Sequence, residues 1–151
     1  MDYRFLGASG LQVSTFSFGT MTLGGEGRFA AMGNVQVEEA RRLVEICLDA
    51  GVNLFDTADI YSNGRSEEVL GRALGTHRKE IVLATKVFNR LDPGTNKAGL
   101  SRRHIVEGCE DSLRPVSYTH LPWSRFLPLR KILARTRFQA QSNPARSPVS
   151  R

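Results

Sequence analysis

Apolar residues recur at helical spacing in three places along the 151-residue chain, with short unbroken apolar runs between them. The clearest period spans Val37 to Ala50. There Ala40, Leu43, Val44, Cys47 and Leu48 fall on one face, and Gly51 supplies a stop. A second helix is predicted over Ser66 to Leu74, with Ser66 as its N-cap and Gly75 past its end. Glu67 and Glu68 lie in its first turn, where the helix dipole favours carboxylates. Ser101 caps a third, which turns Ile105, Val106, Cys109 and Leu113 toward the core. The apolar runs read as strands: Thr15 to Phe18, Asn53 to Phe55, and Ile81 to Ala84. The last is continuous enough to predict burial on both faces. Ahead of them, Tyr3 to Leu6 and Leu11 to Ser14 flank Gly7-Ala8-Ser9-Gly10 and predict a β-hairpin. Gly24-Gly25-Glu26-Gly27 predicts a flexible connection.

A hairpin followed by strand–helix three times implies an α/β fold with a parallel sheet and right-handed crossovers. A complete eight-fold barrel needs about 250 residues, more than this chain has. Residues 1–114 are read as an N-terminal hairpin plus the first three βα units of an incomplete (β/α)8 barrel. A fourth strand should follow Arg114. Instead Pro115 and Pro122 fall within eight residues, which opposes a central strand.

Composition breaks at the same place. Residues 1–114 carry 14 Lys+Arg against 15 Asp+Glu, whereas residues 115–151 carry seven Lys+Arg and no acid. The net charge of +6 thus belongs to the tail. All 14 glycines precede Arg114, and five of the six prolines follow it. The tail is read as a separate, basic, disordered segment with no matching fold. Without a defined fold it is not read as a specific nucleic-acid binder.

Other classes fall away on simple grounds. Cys47 and Cys109 have no ligand spacing for zinc and no disulfide framework, so no metal is expected. No apolar run is long enough for a transmembrane helix, and the start lacks a signal-peptide core, so a cytoplasmic location is expected. The glycine-rich stretch is not a GxGxxG fingerprint opening a helix. Asp59 reads as a loop or helix-cap carboxylate, and His77 and His104 read as solvent-facing.

In a barrel, reactive groups lie just past the carboxyl ends of the strands. Here those positions hold Gly19-Thr20-Met21, then Asp56 to Tyr61, then Lys86. A carboxylate, a phenol and an ammonium would converge on one face. That trio suits carbonyl reduction. Tyr61 would protonate the carbonyl oxygen as hydride reaches carbon. A free phenol titrates near ~10, and the Lys86 ammonium would make it a better acid. Asp56 would keep that lysine charged and in place.

The stretch Phe55-Asp56-Thr57-Ala58-Asp59-Ile60-Tyr61, then Gly64, Ser66-Glu67, Leu70-Gly71 and Leu74, resembles the signature of the aldo-keto reductase family. Leu6-Gly7, Ser9-Gly10-Leu11, Val13-Ser14 and Phe18-Gly19-Thr20-Met21 are similar to that family's hairpin and first strand. Ala84-Thr85-Lys86 is similar to its lysine-bearing strand, and Ser112-Leu113-Arg114 to the end of its third helix. The resemblance covers residues 2–114. It implies a TIM-type barrel, NADPH as cofactor and a small aldehyde or ketone as substrate. By position, Asp56, Tyr61 and Lys86 match three of four catalytic residues, while Gly19, Thr20, Met21 and Asp56 match residues at the nicotinamide end. The fourth catalytic residue is a histidine closing the next strand. His120 follows Arg114 too closely to match it. The pockets for the carboxamide, pyrophosphate and 2′-phosphate belong to later strands without counterparts here.

The resemblance leaves three functions open: a carbonyl reductase by ancestry, inactive as this chain; a regulatory or binding protein on the same scaffold, as with channel auxiliary subunits; or a non-functional fragment. Val116-Ser117-Tyr118-Thr119-His120-Leu121 resembles translated non-coding or adaptor sequence at the broken end of an assembled gene. A frame change or chimeric join after Arg114 is accordingly expected.

Overall fold

The computed structural model describes the backbone of residues 1–117 and the side chains of residues 1–114. Expectations for the tail lie outside the described residues. Strands β1 (Tyr3–Phe5) and β2 (Gln12–Ser14) pair antiparallel, as the hairpin pattern predicts. Strands β3 (Ser17–Gly19), β4 (Leu54–Asp56) and β5 (Val82–Ala84) form a separate parallel sheet in the order β3-β4-β5. Helix α1 (Val37–Asp49) connects the first two, and α2 (Arg65–Leu74) the second pair. Helix α3 (Arg102–Ser117) follows β5 and continues past Arg114. These are the predicted α/β units of a partial barrel.

The register places Gly19, Asp56 and Ala84 side by side at the carboxyl end of the sheet. Because successive residues alternate faces, the next row back, Phe18, Phe55 and Leu83, points the other way, toward the helices. Phe55 is fully buried there, and Phe18 meets its ring edge-on, with centroids 5.4 Å apart. Leu23, Ala40, Val44, Val69, Leu70, Ala73 and Leu74 complete this helix-side core.

Several local expectations are corrected by packing. Ser66 is not the cap of α2. Gly64, in a left-handed conformation, precedes the helix, and Ser66 is fully buried. Its hydroxyl reaches back to Thr20, bonding the carbonyl oxygen at 2.7 Å and Oγ1 at 3.0 Å. That contact ties the start of α2 to the loop after β3. The run Val82 to Ala84 is only half-buried, because among the described residues β5 has no strand on its far side. The glycine-rich stretch is not a loose connection. It includes a 3-10 turn (Gly27–Phe29), and a Cβ on Gly25 would lie 2.8 Å from the Asn34 Cα, so only glycine permits that approach. Among the described residues, no helix is long and apolar enough to cross a membrane.

Candidate active site

The Lys86 ammonium sits among three acceptors. Its Nζ donates to Asp56 Oδ2 at 2.7 Å, to the Thr57 carbonyl at 2.8 Å and to Tyr61 Oη at 3.3 Å. The three predicted side chains therefore converge beyond the ends of β4 and β5. Partial burial disfavours the charge on Lys86. The hydrogen bonds and charges of Asp56 and Tyr61 outweigh that effect and hold its pKa above the ordinary lysine value. All three ammonium protons are engaged, so the phenol is an acceptor toward Lys86. Its own O–H remains available to donate elsewhere.

Tyr61 is positioned by contacts that no local pattern announces. It opens a 3-10 turn (Tyr61–Gly64) in which Ser62 (φ 49°), Asn63 (φ 54°) and Gly64 (φ 89°) are all left-handed. Such a conformation costs a non-glycine residue roughly 1–2 kcal/mol. It persists because Ser62, fully buried, donates to the Leu23 carbonyl at 2.9 Å. The Phe29 ring packs edge-on against Tyr61 at 5.5 Å between centroids. Phe29 and Ser62 thus support the site, although in the sequence one sits in an apparently loose loop and the other is an unremarkable serine.

Gly19 lies beside Asp56 in the sheet, and a Cβ there would meet nothing within 4 Å. This leaves open space over Gly19, next to Asp56. Met21 is exposed and Thr20 fully buried. The Thr20 hydroxyl is occupied by Ser66, and its N–H donates to the Asp56 carbonyl at 3.0 Å. Thr20 therefore shapes the site through its backbone and packing, not through an exposed side chain.

Behind the sheet lies a second ionisable group of residues. Glu67, on α2, is almost fully buried and accepts the Thr85 hydroxyl at 2.7 Å, with Ser112 of α3 also bonded to it. Asp59 is buried as well, and so is His104, whose Nδ1 lies 2.8 Å from the Gly99 carbonyl. His104 is thus not solvent-facing, and Asp59 is not an exposed loop carboxylate. Burial raises the pKa of both Glu67 and Asp59.

An acid whose folded pKa exceeds its unfolded value contributes stability below the unfolded value. That contribution is lost as pH rises through the folded pKa. Glu67→Gln, which cannot ionise, should therefore gain stability relative to the parent as pH rises above the ordinary glutamate value of 4.5. Thermal melts at several pH values measure this. A difference between the two chains that does not vary with pH would contradict it.

A family model described as "Aldo/keto reductase family" matches residues 15–121. A protein of Arabidopsis thaliana named "Probable voltage-gated potassium channel subunit beta" is 45% identical over 133 residues, covering 81% of this chain and 38% of that protein. The protein of the same name from Oryza sativa subsp. japonica is 44% identical over the same length and shares. Among solved structures, the holo form of an aldo-keto reductase from Bacillus halodurans aligns with a TM-score of 0.63 and 37% identity. That alignment covers 80% of this chain and 38% of the other. The chain thus spans well under half the length of these relatives.

Proposed function

The chain belongs to the aldo/keto reductase family, and on that premise we propose that residues 1–114 carry the proton-donating part of an NADPH-dependent reductase of aldehydes and ketones. The observation that carries this reading is the triple donation of Lys86 to Asp56, Thr57 and Tyr61. A nicotinamide, when bound, would supply the hydride. Tyr61 gives its proton to the carbonyl oxygen as the C–H bond forms, and the resulting phenolate faces the Lys86 ammonium until solvent restores the proton. Asp56 holds that ammonium charged and in place. Gly19, Met21 and the Asp56 edge suit the nicotinamide end of the cofactor, with Thr20 shaping the turn behind it. The carboxamide and phosphates would be held by parts of the barrel beyond those described. The substrate is a small carbonyl compound, and the setting is the cytoplasm.

The 151-residue chain alone is expected neither to bind NADPH in calorimetry nor to oxidise it with a panel of aldehydes. Saturable heat of binding would contradict this. The reductase reading itself is tested by grafting. Residues 1–114 replace the corresponding segment of the Bacillus halodurans enzyme, and NADPH consumption with aldehydes is followed. Turnover is expected. A chimera that folds and binds NADPH but reduces no aldehyde would sink the reading.

A second reading has its own support. The two plant relatives, more identical to this chain than the aligned reductase, are named as potassium channel beta subunits. A role as a channel auxiliary subunit predicts that the graft is retained by a detergent-solubilised voltage-gated potassium channel, with or without turnover.

A further inference from the structure

We infer that Glu67 and Thr85 form a positioning pair that sets Lys86 from behind the sheet. The inference rests on the reading of Lys86 as the cation that serves Tyr61. Thr85 and Lys86 are neighbours in sequence, yet their side chains leave the backbone toward opposite sides of the sheet. The Lys86 ammonium reaches Asp56 and Tyr61, while the Thr85 hydroxyl reaches Glu67 on α2. A 2.7 Å hydrogen bond to a carboxylate that is only 3% exposed is a fixed anchor. Glu67 is in turn held by Ser112 of α3.

The backbone on either side of the lysine side chain is held too. The Lys86 carbonyl accepts the Asp59 N–H at 3.2 Å. At the next residue, α3 comes so close that a Cβ on Gly108 would lie 2.5 Å from a Val87 methyl group. Residues 85 to 87 are therefore clamped by α2, by the loop after β4 and by α3. Among these clamps, only the Thr85 bond joins a side chain to an ionisable group. A first-turn glutamate complements the helix dipole without needing a side-chain partner. Glu67 instead spends its acceptors on Thr85 and Ser112, which lie on two other segments.

The test uses the whole 151-residue chain and needs no turnover. Thr85→Val removes the hydroxyl at nearly constant shape, and Thr85→Ser keeps it. The titration of Lys86 is read from the 13Cε shift of labelled lysine, the signal being assigned by its loss in Lys86→Met. In Thr85→Val the Lys86 midpoint is expected to fall by about 0.5 pH unit, a fraction of the ~1–3 that a close opposite charge supplies, and to return in Thr85→Ser. A lowered melting temperature with an unmoved Lys86 midpoint would mean that the pair is only structural, and would overturn the proposal. Should Thr85→Val not fold, Ser112→Ala, which frees the other side of Glu67, is read in the same way, and an unmoved midpoint there overturns it. An inactive graft would count against the reductase reading while leaving this result intact. A working graft with an unmoved Lys86 would remove the positioning role alone.

Discussion

Tyr61→Phe, introduced into residues 1–114 grafted onto the Bacillus halodurans enzyme, is expected to lower kcat for aldehyde reduction by about 10²–10⁴, the usual contribution of a positioned acid. The affinity for NADPH should not change. The phenol sits 3.3 Å from the Lys86 ammonium as an acceptor, which leaves its own proton free for a carbonyl oxygen. Phenylalanine keeps the ring, its edge contact with Phe29 and its place in the left-handed turn, so the loss isolates the proton. Lys86→Met should fall in the same range but also disturb Asp56 and Thr57, because it leaves two further acceptors without their donor. Steady-state kinetics with NADPH and a simple aldehyde measures both. A Tyr61→Phe graft that retains most of its turnover would exclude Tyr61 as the acid.

The second large effect is on stability. Phe55→Ala is expected to cost about 3–5 kcal/mol, the range for removing a buried aromatic ring. Phe55 is fully buried on the helix side of the central strand β4, and it packs against Phe18 of the neighbouring strand. Edge-to-face pairing adds roughly 0.5–1.5 kcal/mol beyond the buried area. Domains have only about 5–15 kcal/mol of net stability, and an edge strand that is half-buried contributes less than a covered one. Urea unfolding of the 151-residue chain should therefore lose its cooperative transition in the variant. An unchanged midpoint would show that this core does not carry the fold.

Much of this architecture is legible locally. The period of Ala40, Val44 and Cys47 determines α1, and the alternation of strand and helix determines a parallel sheet. The distances from Asp56 to Tyr61 and on to Lys86 put all three at strand ends, where the structure brings them together. Such features depend on neighbours within a few residues, and a repeating geometry writes them into the sequence as a period.

Other features could not be read this way. Ser66 resembles a cap because serine before two glutamates usually is one, yet its hydroxyl is claimed by Thr20, 46 residues away. His104 resembles an exposed residue at a helix start, yet it is buried with its Nδ1 2.8 Å from the Gly99 carbonyl. Ile81 to Ala84 resembles a strand covered on both faces, and its composition suits that state. Its actual exposure depends on which strands stand beside it.

The contrast is sharpest at the lysine itself. Sequence alone placed Lys86 just past the end of a strand, since strands and helices alternate along the chain, and the register sets Ala84, two residues earlier, beside Asp56. That its neighbour Thr85 is bonded to Glu67 was decided only when α2 packed against the end of β5. A hydrogen bond between segments 18 residues apart has no period, so it leaves no trace in the pattern of apolar and polar positions from which the rest was read.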